Sequence, residues 1–192
     1  MGRLFLCVAA TLAAVLVARP DAQRVAESRN VALVSRLDLN GGGDGGEGLA
    51  LQQLDGRRLL YFAHEGTARC LSIVDVTRPE APVLVKQLPS PAPGVTRCNS
   101  LGLSGTVLAV ANQAATAGRT PAGLWVLDVS NLERIRTART LDDLKLSFFD
   151  TSGTDSRGVH NLWFVDGEFA HLTTGRRSSC GCSTSGRKRI RS

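Results

Sequence analysis

The sequence lacks the local signatures of several common enzyme classes. It has no Gly-x-Ser-x-Gly element, the sharp turn that exposes a nucleophilic serine in many hydrolases. It has no P-loop, and its Gly-x-Gly-x-x-Gly matches lie inside the glycine-rich residues 41–48 rather than directly at the end of a predicted strand; both patterns hold phosphates. Asp150-Thr-Ser-Gly differs from the aspartic-protease signature by an extra residue, and no second copy exists to share the proton. These absences argue against all four chemistries.

Most of the chain has no net positive charge, although the formal net charge of the whole is +6. Residues 176–192 carry six basic side chains and no acid, and the other 175 residues hold 17 basic and 17 acidic side chains. A neutral folded part has no electrostatic attraction for phosphate. The sequence therefore predicts no nucleic-acid partner, and it predicts a disordered basic tail over residues 176–192 because only one aliphatic side chain occurs there.

The longest apolar run is too short for a comfortable membrane span. It covers 15 residues, Leu4 to Ala18, after the positive start Met1-Gly2-Arg3. That order is typical of a secretory signal peptide, here predicted over residues 1–22 as an N-terminal helix cleaved after Ala18 or Ala22. An uncleaved anchor and a buried helix are the alternatives. We expect export to the periplasm, cell surface or exterior, membrane contact only through this segment, and a polar, Gly-rich linker over residues 23–48. Within that stretch, the apolar run Val31-Ala-Leu-Val predicts a first strand.

Two stretches of the chain repeat one pattern. Leu71-Ser-Ile-Val-Asp-Val-Thr and Leu124-Trp-Val-Leu-Asp-Val-Ser both end an apolar run in Asp-Val-[Ser/Thr], and Asp75 and Asp128 lie 53 residues apart. Recurrence at this period is typical of stacked β units such as propeller blades. Turn signals such as Asp55-Gly56 separate the short apolar strands. We interpret Asp75 and Asp128 as structural residues, because a strand-ending carboxylate accepts hydrogen bonds from the following turn.

The repeat resembles that of the LVIVD-repeat proteins, an exported β-propeller-like family. The Leu-x-Ile-Val-Asp-Val-Thr-x-Pro-x-x-Pro pattern at residues 71–82 carries the resemblance, which covers residues 49–175. The second copy departs from the pattern at Leu132, where proline is expected. The resemblance implies an all-β partial propeller of about two blades and the start of a third, which functions in binding and has no catalytic motif.

The repeat pattern stops after residue 175, just where another strand is expected. A closed propeller has at least four blades. We therefore interpret the chain as a fragment that is truncated or frameshifted after about residue 175. An open stack exposes an apolar face and unpaired strand edges, which favours self-association.

Export permits disulfides, and setting aside Cys7 leaves four cysteines. Cys70 and Cys98 are interpreted either as a disulfide or as two small buried side chains. Cys180 and Cys182 are too close together for a standard zinc pair, and no second pair completes four ligands. The sequence predicts no metal and no cofactor.

Candidate ligand-binding residues come from strand ends and from one polar loop, because propeller sites are usually built there. His64 follows Phe62-Ala63 at a predicted strand end, and His171 follows Phe169-Ala170 in the corresponding place. The polar loop runs from Asp150 to Asn161. The predicted set is His64, Glu65, Asp150, Asp155, Arg157, His160 and His171. We expect a non-enzymatic binding or scaffold module for a protein or small molecule; the alternative is a metal-dependent or hydrolytic enzyme using His64, His160 and His171.

Overall fold

A computed structural model describes residues 30–41, 46–176 and 184–189, with backbone alone from residue 175 onward. The predicted signal helix over residues 1–22 lies outside this part. The chain divides into two compact units, residues 1–33 and 34–192, and the second holds every described strand. This unit is mostly β, as expected, and consists of antiparallel sheets that do not close on themselves.

Sheet 1 contains four strands in chain order: β1 (Gly48–Leu54), β2 (Arg57–Ala63), β3 (Arg69–Asp75) and β4 (Val83–Pro89). All neighbours are antiparallel. The predicted turn at Asp55-Gly56 joins β1 to β2, and both residues have positive φ, as a tight hairpin turn requires. β4 begins directly after Pro82, because proline has no N–H to donate to a sheet.

Sheet 2 repeats this order with β5 (Thr96–Ser104), β6 (Val107–Ala114), β7 (Gly123–Asp128) and β8 (Lys145–Asp150). Helix α1 (Leu132–Thr137) and a 3₁₀ turn (Leu141–Leu144) connect β7 to β8. Oδ1 of Asn131 accepts from the Arg134 N–H at 2.9 Å, so Asn131 caps the helix. The next residue, Leu132, is the position at which the resemblance predicts proline.

Sheet 3 contains β10 (Ser156–Val165), β11 (Phe169–Arg176) and β12 (Thr184–Arg189), and the short β9 (Ser152–Gly153) pairs with the start of β10. A single pair, Gly158 with Gln113, joins sheet 3 to sheet 2. A Cβ on Gly158 would lie 2.6 Å from the Asn112 carbonyl oxygen, so only glycine permits this contact.

Two sequence predictions differ from the structure. The tail was expected to be disordered from residue 176, but residues 184–189 form β12, since pairing with β11 requires backbone groups and no apolar side chains. The strand that the apolar run Val31–Val34 suggests is not formed: among the described residues these have no strand partner, and Val31 and Leu33 are 72% and 84% exposed.

The three sheets pack face to face through two apolar cores. The first lies between sheets 1 and 2, with residues such as Tyr61, Ile73, Leu108 and Leu127 fully buried. The Tyr61 hydroxyl donates to Oε1 of Gln52 at 2.5 Å, and burial raises the pKa of Tyr61 above its usual range. The second core lies between sheets 2 and 3. This buried apolar area supplies most of the stabilisation of the fold.

Strand pairing shows that sheets 1 and 2 repeat one register. Asp75 and Asp128 end the third strand of each sheet, β3 and β7 respectively. Taking these two residues as equivalent, the strand pairing assigns every other position of sheet 1 to a position of sheet 2. Two cross-strand rows correspond: Leu49, Phe62 and Ser72 in sheet 1, and Leu101, Val110 and Trp125 in sheet 2. The same counting matches Leu51 to Leu103. The two sheets are therefore structural repeats.

Glycine allows the strands β1, β5 and β10, each of which begins its sheet, to approach one another closely. A Cβ on Gly48 of β1 would lie 2.7 Å from the backbone nitrogen of Leu101 on β5. A Cβ on Gly102 of β5 would lie 2.5 Å from Cβ of Phe164 on β10. Neither site has room for a larger residue, so the first strands of all three sheets converge.

Candidate functional site

A group of polar side chains joins the three sheets at one end of the stack. We call it the Gln113 cluster, and its members are Glu65, Arg97, Asn99, Gln113 and His160. Glu65 follows β2, Arg97 and Asn99 lie on β5, Gln113 lies on β6 and His160 lies on β10. Residues from all three sheets therefore contribute to one site.

Gln113 contacts three of the other four members of the cluster. Its Oε1 accepts from Nη2 of Arg97 at 3.0 Å and from Nδ2 of Asn99 at 3.2 Å, and it lies 3.1 Å from Nδ1 of His160. Nη1 of Arg97 also donates to Oε1 of Glu65 at 2.5 Å. The Glu65 carboxylate thus balances the Arg97 charge, and the cluster is close to neutral when His160 is neutral.

The imidazole of His160 is exposed, whereas its supporting amides are not. Asn99 is fully buried and Gln113 is 4% exposed. Nδ1 of His160 lies 2.9 Å from Nδ2 of Asn99, a donor, and 3.1 Å from Oε1 of Gln113, an acceptor. Both neutral tautomers have a partner at Nδ1, so Nε2 can act as either a donor or an acceptor.

Three buried polar atoms in and beside the cluster have no hydrogen-bond partner within the described part of the chain. They are Nε of Arg97, Oδ1 of Asn99 and Oδ1 of Asn112. A buried polar atom without a partner costs about 1–3 kcal/mol. Native proteins usually satisfy such groups, so one donor and two acceptors at one location favour a site that binds polar groups.

A disulfide fixes the strand that carries Arg97 and Asn99. Cys70 on β3 and Cys98 on β5 form this bond, with their Cα atoms 5.0 Å apart, and both are fully buried. The Cys98 N–H donates to the His64 carbonyl oxygen at 3.2 Å. Of the two interpretations of these cysteines, the structure contains the bridged one. Arg97 and Asn99 of the cluster therefore lie on a cross-linked strand.

The structure brings together two of the predicted site residues and separates the others. Glu65 and His160 belong to the Gln113 cluster through Arg97 and Gln113. Nε2 of His64 instead lies 2.7 Å from Oγ of Ser72, and His64 is buried. His171 contacts Trp163, with ring centroids 5.5 Å apart.

The expected correspondence between His64 and His171 is wrong. His64 follows the end of β2, whereas His171 lies inside β11, paired with Trp163. The similar tetrapeptides Phe-Ala-His-Glu and Phe-Ala-His-Leu begin at different points of their strands. Their similar sequences therefore do not give the two histidines equivalent structural positions. No group of three or more potential metal ligands occurs among the described residues.

The predicted polar loop is largely a tight hairpin. Oδ1 of Asp150 accepts from the Ser152 N–H at 2.8 Å, and Asp155 lies in the exposed turn between β9 and β10. Nε of Arg157 donates to the Ala114 carbonyl oxygen at 2.8 Å, next to Gln113. Two clefts of about 460 and 440 Å³ flank the hairpin, and Asp155 borders both.

Asp75 and Asp128 occupy matching environments. Oδ1 of each accepts the backbone N–H two residues later at 2.9 Å, and Oδ2 of each accepts from an arginine at 2.6 Å, Arg57 and Arg134 respectively. Hydrogen bonding from Ser130 lowers the pKa of Asp128 and outweighs its partial burial. Both residues close a strand and its turn, which is the structural role that their recurrence suggested.

Sequence reasoning missed Arg97, Asn99 and Gln113. A weak signal for Gln113 existed, because Asn112-Gln113 directly follows the apolar run Val107–Ala111. Arg97 and Asn99 gave none, since their partners lie on strands distant in the sequence.

In the described part of the chain, no helix has the length and apolar character that a membrane crossing needs. Comparison with known proteins found no matching family model and no curated protein with significant similarity.

Proposed function

We propose that this chain is an exported β-propeller-type repeat protein of the LVIVD kind, in which each sheet is one blade. The repeated register of sheets 1 and 2 supports this proposal, as do the paired environments of Asp75 and Asp128 and the convergence of the first strands at Gly48 and Gly102. Propeller blades are four-stranded sheets arranged around a centre. The buried Cys70–Cys98 disulfide is consistent with an oxidising compartment outside the cytoplasm.

We further propose that the protein is a non-enzymatic binding or scaffold module at the cell envelope whose site is the Gln113 cluster. One observation carries this proposal: buried polar atoms of Arg97, Asn99 and Asn112 have no partner among the described residues, and Asn99 contacts the exposed imidazole of His160. A ligand that offers both a donor and an acceptor, without net charge, matches this set. An amide of a peptide and a hydroxyl group of a small molecule both meet that requirement.

The alternative, an enzyme that uses His64, His160 and His171 together, has less support. Each of the three imidazoles has a different neighbour: Ser72, the amides of the cluster, and Trp163 respectively. We therefore favour binding over catalysis.

Titration with two small probes tests the binding site. N-methylacetamide and glycerol each offer a donor and an acceptor, and ¹H–¹⁵N spectra report the side-chain amides of Asn99 and Gln113. We expect saturable shifts of these two signals. His160→Ala removes one hydrogen bond from an exposed position, so it should weaken binding roughly two- to tenfold without unfolding the protein.

The matched control is His171→Ala, which makes the same chemical change at the Trp163 contact. It should leave probe affinity unchanged. Equal effects of the two variants, or no saturable shift at Asn99 and Gln113 with either probe, would show that the cluster is not a binding site.

A further inference from the structure

One face of sheet 1 is equivalent to a face that is buried in sheet 2. We call it the open face; it consists of Leu49, Leu51, Leu60, Phe62, Ser72 and Val74. Leu101 and Leu103, the sheet 2 counterparts of Leu49 and Leu51, pack into the core between sheets 1 and 2. Leu49 and Leu51 are 61% and 54% exposed. The inner half of the open face is therefore an apolar packing surface that none of the described sheets covers.

Residues 34–41 lie over the outer half of the same face. Gln87 is paired with Ser72, and its Nε2 donates to Oγ of Ser72 at 3.0 Å and to the carbonyl oxygen of Leu39 at 2.9 Å. Oγ of Ser35 donates to the Pro79 carbonyl oxygen at 2.6 Å. Within the described residues this extended segment has no strand partner. It occupies the place that the outer strand of a preceding sheet would take, although no described sheet lies on this side of sheet 1.

Sheet 3 presents the complementary features. Apart from the two-residue β9, its described strands number three, whereas sheets 1 and 2 have four. Leu162 and Phe164 pack toward sheet 2, so the alternate residue Trp163 points to the far side, where it is 68% exposed. This sheet therefore has an aromatic far face and a free edge at β12.

We propose that a second copy of this chain covers the open face. Sheet 3 of that copy packs its Trp163 face against Leu49 and Leu51, and residues 34–41 become the fourth strand beside its β12. The internal contacts between sheets supply the template. By register, Trp163 of sheet 3 is equivalent to Gly102 of sheet 2, and Leu51 of sheet 1 is equivalent to Phe164 of sheet 3. Within one chain the small Gly102 packs against the large Phe164. Between two copies the large Trp163 packs against the smaller Leu51, so the large and small residues have changed sides.

Two such contacts related by a twofold axis close a ring of six sheets. Head-to-tail contacts form closed rings when the rotation permits, and propellers have about four to eight blades. The inference rests on the proposed propeller-type fold and adds the identity of the partner. It also makes use of the exposed tryptophan, which has no role in the Gln113 cluster.

Sedimentation velocity on the purified full chain tests the proposal. The wild type should sediment with twice the mass of one chain. Leu51→Glu and Trp163→Glu should each raise the dimer dissociation constant at least tenfold, because each places a charge in an apolar contact. The control Leu146→Glu changes a leucine that is 56% exposed on β8, away from both faces, and should remain dimeric.

Mixing the two variants distinguishes the head-to-tail contact from other arrangements. The Trp163 face of Leu51→Glu and the open face of Trp163→Glu are both intact, so the mixture should form a heterodimer that neither variant forms alone. A monomeric wild type would overturn the proposal. So would a dimer that Trp163→Glu leaves intact, since two open faces would then pack on each other. Unchanged far-ultraviolet circular dichroism of each variant would show that the β structure is retained.

Discussion

At the residue scale, two aspartates explain how sequence letters determine local structure. Asp75 and Asp128 each accept a backbone N–H from the following turn and pair with an arginine from a different element. The aspartate is common to both copies, whereas the arginine comes from β2 in one and from helix α1 in the other. The aspartate is therefore part of the repeat, whereas the arginine that pairs with it differs between the two copies.

The same contacts predict acid sensitivity. Burial raises the pKa of Asp75, but hydrogen bonds from the side chain and backbone of Thr77, together with Arg57, outweigh it and lower the pKa. A lowered pKa in the folded state stabilises the protein fully above the unfolded value near 3.9 and progressively less as pH falls below it. Urea unfolding should therefore show a loss of stability between about pH 5 and pH 3.

Asp75→Asn should reduce that pH dependence and cost about 1–2 kcal/mol at pH 6, because the neutral amide accepts a weaker hydrogen bond than the carboxylate. Asp155→Asn, in the exposed turn between β9 and β10, is the control and should behave as wild type. The account of Asp75 fails if both variants retain the wild-type pH profile.

At the element scale, the strands and turns were largely predictable. Apolar runs, Asp-Gly and Ser-Gly turns and the prolines before β4 marked the strands of sheets 1 and 2, because each signal acts within a few residues. β12 was missed because its pairing depends on β11 and not on its own composition. The Gln113 cluster was missed for the same reason: Asn99 and His160 meet only after separate sheets pack.

The disulfide between β3 and β5 links two of these sheets. It closes a loop with a sequence separation of 28 residues, for which the chain-entropy estimate is about 3.6 kcal/mol of stabilisation. Replacing both Cys70 and Cys98 with alanine should lower the free energy of unfolding by about that amount. Wild type treated with a reductant should match the double variant. A difference below about 1 kcal/mol would show that the bridge contributes little.

At the scale of the whole molecule, the account depends on how repeated sheets stack. Sheet 2 presents one face to sheet 1 and the other face to sheet 3, and the contacts between sheets 1 and 2 and between sheets 2 and 3 follow one register. The sequence indicated the repeat through Asp75 and Asp128. It did not indicate the stacking, because the decisive contacts join residues such as Gly48 and Leu101 that lie far apart along the chain.

Nuclear Overhauser spectroscopy of the labelled full chain tests this stacking most directly. The account predicts cross-peaks between the Gly48 α protons and the Leu101 amide proton, and between the Gly102 α protons and the Phe164 β protons, since these groups leave no room for a Cβ. A monomer that shows both sets would overturn the dimer and keep the stacked fold. Absence of both sets from a folded protein with assigned resonances would contradict the repeated-sheet account itself.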